Sequence, residues 1–155
     1  MHRTPVLRGT WVGRFRRDLP AGQEAVAASG QVYLVIAQTF SSVQVRLFTP
    51  ESSSLSLSCS VVTAQDGRMG LTWVYQNEPE YLQRQESEIH HGAAKVRLEG
   101  SPPTSLRGHY WTDRKPERTA GELEFHLLSR TVVDGHRQGE VLAATPQTPA
   151  EDAIP

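Results

Sequence analysis

The sequence predicts an all-β fold, a small antiparallel up-and-down β-barrel of about eight strands. Short alternating or apolar runs recur at hairpin spacing along most of the chain. Polar punctuation rich in Gly, Pro, Ser and Asp separates them, and helical periodicity is poor. Within each run one parity is apolar and the other polar. That is the pattern of a strand with one face against a core, and a small barrel packed with its own side chains repeats it in every strand.

Residues 1–6 read as an N-terminal lead, residues 7–130 as the barrel, and residues 131–155 as a tail without periodicity, expected to be disordered. The first run, Leu7 to Phe15, turns Leu7, Gly9, Trp11, Gly13 and Phe15 inward. Pro20 to Gly30 is small and polar, a long first connection. Val32 to Phe40 turns Val32, Leu34, Ile36, Gln38 and Phe40 inward, and Val43 to Thr49 follows after Ser41-Ser42. Leu55 to Thr63 is expected to bury Leu55, Leu57, Cys59 and Val61. Its Ser54, Ser56, Ser58 and Ser60 ladder then forms a solvated face. Met69 to Asn77 buries Leu71, Trp73 and Tyr75, and Glu78 to Glu88 has room for a short turn. Ala93 to Glu99, Ser105 to Thr112 and Gly121 to Leu128 complete the set, with Gly100-Ser101-Pro102-Pro103 and Lys115-Pro116-Glu117 as loops. Trp11, Phe15, Phe40, Trp73, Tyr75, Tyr110 and Phe125 are expected to fill the interior.

Composition excludes several function classes. A net charge of −1 does not suit a protein that coats long DNA or RNA, although a local cationic cluster would suffice for a small anion. The single Cys59 excludes an intramolecular disulfide and fits a reducing compartment. With no Cys/His spacing pattern, no structural zinc and no resident cofactor are expected. No apolar run approaches the ~18 residues of a membrane-spanning helix, and the N-terminus has no signal core, so a cytoplasmic domain is expected.

An up-and-down order fixes which strand ends share a mouth. One mouth collects Phe40/Val43, Ala64/Met69 and Glu99/Ser105, and offers little beyond Gln38, Arg68 and a few hydroxyls. The other gathers Thr49, Ser52, Tyr75, Asn77, His90, His91, Tyr110, Thr112 and Arg114, with Arg14, Arg16, Arg17, Lys115 and Arg118 nearby. These residue types suit recognition of a base and a phosphate. Tyr75 and Tyr110 would stack, Asn77 and Thr112 would read an edge, and Arg114 would pair with the anion. The bland alternative is that barrel ends are polar in any case. His90 and His91 are adjacent in one strand, point to opposite sides and have no third ligand, which argues against a metal centre. The serine run has no Gly-x-Ser-x-Gly elbow, and no carboxylate pair converges on this mouth, so no enzyme is expected. Trp111 lies on the outer parity and marks either a protein contact or a residue under a loop.

Several ordered segments resemble a known family. They are Gly9-Thr10-Trp11-Val12-Gly13, Val35-Ile36-Ala37-Gln38-Thr39-Phe40, Thr49-Pro50-Glu51-Ser52-Ser53-Ser54 and Val74-Tyr75-Gln76-Asn77-Glu78-Pro79. His91-Gly92, Leu106 through Arg114 and Gly121-Glu122-Leu123 continue the series. Over roughly Leu7 to Leu128 the chain resembles the β-barrel portion of the two-transmembrane, β-strand-rich effectors that accompany SMODS-type nucleotidyltransferases in bacterial CBASS anti-phage immunity. The resemblance implies a receptor for a cyclic dinucleotide or related cyclic oligonucleotide, with self-association on ligand binding. Family members carry N-terminal membrane helices, which this chain lacks. The resemblance therefore implies either a domain tethered at the inner membrane within a longer effector or a relative with a different output. Two other readings stay open, a lipocalin-like carrier of an apolar molecule and a structural protein-interaction module.

Overall fold

The computed structural model describes residues 4–18, 31–79 and 89–146. Eight strands follow in order: β1 (Gly9–Arg17), β2 (Val32–Gln38), β3 (Val43–Phe48), β4 (Ser52–Thr63), β5 (Met69–Pro79), β6 (His90–Gly100), β7 (Pro103–Thr112) and β8 (Ala120–Ser129). Each pairs antiparallel with its sequence neighbour, and β8 pairs with β1 to close the barrel. The expected antiparallel up-and-down barrel is the fold. The connection expected over Pro20 to Gly30 lies outside the described residues. So does the turn expected over Glu78 to Glu88, apart from Glu78 and Pro79, which extend β5.

The alternation read from the sequence builds the core. Trp11, Leu34, Ile36, Val45, Leu71, Val96, Leu106 and Phe125 are all but inaccessible and form one cluster inside the barrel. Leu7 joins them from just ahead of β1. Its carbonyl accepts a hydrogen bond from the Trp11 indole Nε1 at 3.0 Å. The Gln38 side chain holds the lead in place. Its Oε1 accepts from the Leu7 and Arg8 amides at 2.7 and 3.1 Å, and its Nε2 donates to the Pro5 carbonyl at 2.8 Å. Among the described residues, the segment from Pro5 to Arg8 is thus tied to the end of β2 at the mouth where β1 starts.

Three expectations fail here for physical reasons. In β4, Ser56 pairs with Tyr75 and Ser58 with Val74, so Leu57 is the extra residue of a β-bulge. The bulge reverses the parity. Cys59 and Val61 pack on the core, whereas Leu55 is exposed and Leu57 is 59% exposed rather than buried. Ser54, expected on a solvated face, is buried, and the Ser56 hydroxyl accepts the Val45 amide at 2.9 Å. Phe40 sits in the β2–β3 turn beyond the last inward position and is fully exposed, so it fills nothing. The tail expected to be disordered carries a helix, α1 (His136–Ala144). Val133 and Leu142 cover Val35 and Phe48 on the outside of β2 and β3, and Tyr33 packs edge-on against His136 with ring centroids 5.3 Å apart. An Arg46–Asp134 ion pair and a 2.6 Å hydrogen bond from the buried Thr10 Oγ1 to the Thr131 carbonyl tie the segment down.

Candidate functional site

A cavity of about 250 Å³ opens at the mouth formed by the ends of β1, β3, β5 and β7 and the starts of β4, β6 and β8. The strands supply its depth. Leu34, Trp73, Ala94, Leu123 and Phe125 make an apolar floor continuous with the core. Phe15, Tyr75 and Tyr110 form an aromatic middle, in which the Phe15 and Tyr110 rings meet edge to face with centroids 5.9 Å apart. Arg17, Thr49, Glu51, Ser52, Asn77, His90, Thr112, Arg114 and Thr119 stand around the rim, with Ser54 just below.

Both tyrosines have room because the next strand presents a glycine. Gly92 pairs with Tyr75, and a Cβ there would lie 2.4 Å from the phenol ring. Gly121 pairs with Tyr110, and a Cβ there would lie 2.7 Å from that ring and 2.0 Å from the Arg16 carbonyl. Burial, with a smaller effect from Tyr110, raises the Tyr75 pKa well above that of a free phenol. Burial also raises Tyr110, against a smaller opposing pull from the charge and hydrogen bond of Arg17. Both phenols are therefore neutral hydroxyl groups at physiological pH.

The two rim loops are braced by threonines. Thr49 Oγ1 accepts from the Ser52 and Glu51 amides at 3.0 and 3.2 Å, closing the β3–β4 turn. Thr112 Oγ1 accepts from the Thr119 amide at 3.2 Å, and the two hydroxyls lie 2.5 Å apart, holding the β7–β8 loop that carries Arg114. Eight of the nine residues expected at this mouth line one cavity: Thr49, Ser52, Tyr75, Asn77, His90, Tyr110, Thr112 and Arg114. His91 does not. It faces outward, where its amide donates to Asp113 Oδ1 at 2.7 Å and its ring Nδ1 lies 3.7 Å from Oδ2. Arg17, Glu51, Ser54 and Thr119 join the cavity beyond the expected set. Arg17 continues the inward parity of Trp11, Gly13 and Phe15 and was legible on that ground. Ser54 was hidden by the bulge downstream of it.

Among the described residues, no helix is long and apolar enough to cross a membrane. The chain is similar to CD-NTase-associated protein 15 of Escherichia albertii, with 24% identity over 123 residues that cover 77% of this chain and 61% of that protein. It therefore spans about three fifths of that relative's length. The family model described as Cap15, cyclic dinucleotide receptor domain, matches residues 2–126, which takes in nearly the whole barrel and every residue that lines the cavity. The chain belongs to the Cap15 cyclic dinucleotide receptor domain family.

Proposed function

We propose that this barrel is the sensor of a CBASS anti-phage effector and binds a cyclic dinucleotide, or a closely related cyclic oligonucleotide, at its open mouth. Besides family membership, one observation carries the reading: a single cavity stacks an aromatic layer beneath a rim that bears two arginines, hydroxyls and an amide. A cyclic dinucleotide has two bases and two phosphates and no apolar tail, and this layering matches it. A base meets aromatic faces and the phosphates meet guanidinium groups. At about 250 Å³ the cavity falls just below the usual range for small-molecule pockets, so the ligand enters with one base and leaves the rest across the rim. An apolar carrier would need a hollow interior, but Leu7, Trp11, Ile36, Leu71, Val96 and Leu106 fill the lower half.

The domain acts by binding alone. Among the described residues Glu51 is the one carboxylate lining the cavity, so no acid–base pair is assembled there. Ligand binding promotes self-association. The outer wall offers an apolar row for it, in which Leu57, Val74, Ala93 and the half-exposed Trp111 lie side by side on four neighbouring strands. Calorimetry of the purified chain against a panel of cyclic dinucleotides, paired with sedimentation velocity, tests the reading. The expected result is saturable binding of at least one cyclic dinucleotide, no turnover of it, and faster sedimentation of the complex. Absence of binding across the panel would overturn the proposal.

A further inference from the structure

The walls of the cavity are chemically opposed. Arg17 ends β1 and Arg114 follows β7, so both cations stand on the side spanned by β8. Glu51 belongs to the β3–β4 turn, nearly half-way around the eight-strand ring from them. Its amide is fixed on Thr49 Oγ1, while its carboxylate has no hydrogen bond or ion pair among the described residues. A free carboxylate on the rim of a site for a doubly anionic ligand opposes binding, unless it meets hydrogen-bond donors. Among the common bases, guanine presents two adjacent donors on one edge, N1–H and N2–H, which match the two oxygens of a carboxylate. Adenine and cytosine place a ring acceptor beside their amino group, and uracil flanks its single N–H with carbonyls. Both arrangements repel a carboxylate. Asn77 lines the same wall, paired with Ser54 across the β4–β5 ladder, and its amide can donate to guanine O6. We infer that Glu51 makes this receptor selective for a guanine-containing cyclic dinucleotide, its carboxylate holding the guanine edge while Arg17 and Arg114 engage phosphate. This rests on the cavity being the ligand site.

The test is calorimetry of the full chain and of Glu51→Gln with cyclic di-GMP, cyclic GMP–AMP and cyclic di-AMP. The wild type should bind the tighter guanine ligand roughly ten- to a hundredfold better than cyclic di-AMP, the discrimination one bidentate pair supplies. Glutamine removes the charge and presents one donor beside one acceptor, the complement of adenine. Glu51→Gln should therefore bind cyclic di-AMP more tightly than the wild type does and bring the ratio down to roughly threefold or less. A uniform shift for all three ligands would reduce Glu51 to a local charge and overturn the inference, as would a wild type that prefers cyclic di-AMP or shows no base preference. Failure of every cyclic dinucleotide to bind would instead overturn the receptor reading itself.

Discussion

Arg17 and Arg114 reach the same cavity by different means. Arg17 is an inward strand residue whose side chain reaches the Tyr110 phenol, whereas Arg114 rides on a loop whose backbone is braced by Thr112 and Thr119. A charge-assisted hydrogen bond to phosphate contributes about 1.5–3 kcal/mol. Arg114→Ala and Arg17→Ala should each weaken cyclic dinucleotide binding roughly ten- to a hundredfold, measured by calorimetry at fixed salt. Arg68→Ala, at the far mouth and ion-paired with Asp66 of its own turn, should leave affinity unchanged. If Arg68→Ala abolishes binding and Arg114→Ala does not, the ligand sits at the other end. Gln38 would make a poor control, because it carries the hydrogen bonds that hold the lead. At this scale strand parity and hairpin order made most of the site legible, since they bring Thr49, Tyr75, Asn77, His90, Tyr110 and Thr112 to one mouth. The same alternation turns His91 away from His90. Glu51 was visible in the turn, but its place on the cavity wall depends on how Thr49 folds that turn back.

Strands in this protein are defined as much by their interruptions as by their patterns. The Leu55 to Val61 segment alternates without a break in the sequence, and nothing in its residue types marks Leu57 as supernumerary. Pairing with β5 places the bulge, and a bulge is a property of two strands rather than one. The two parities make different predictions for stability. If Leu57 were core, Leu57→Ala would cost about 2–5 kcal/mol. On the bulge it should cost within about 0.5 kcal/mol. Leu71→Ala, fully buried on β5, should show the full core penalty in the same urea titration. Equal losses for the two variants would restore the unbroken alternation. The second interruption is on β2, where Tyr33 and Val35 make the outward face apolar as well. A run apolar on both faces signals a strand covered from both sides. That signal was present in Val32 through Ile36, and its partner was the tail. The nine residues of α1 are too few for a strong helical period, so the cover was not legible although the need for it was.

Taken as a whole, the barrel holds ionisable groups in their neutral form against its core, and this sets how stability depends on pH. Cys59 lies against the core, and burial pushes its thiol up from 9.0 to about 11. Burial is also the leading cause that raises Tyr75 and Tyr110 above the ordinary phenol value of 10.0. In each case the folded state favours the protonated, uncharged form, so the unfolded chain releases its protons first. The contribution of these groups is fully present below pH 9. It falls as pH rises from 9 to about 11 through Cys59, and further above pH 10 as unfolded tyrosines ionise while folded ones do not. The urea midpoint should therefore hold steady from neutrality to pH 9 and then decline in two overlapping stages. Cys59→Ala should remove the earlier stage and leave the later one, and Tyr75→Phe should soften the later stage. The burial of Cys59 predicts the same order for reactivity. With its pKa near 11, Cys59 is almost wholly thiol at pH 7.5, so a thiol-directed reagent should label it far more slowly than it labels the urea-unfolded chain. A midpoint that stays constant to pH 11, or equal labelling rates in the folded and unfolded protein, would mean that the interior of the barrel is open to water around Cys59.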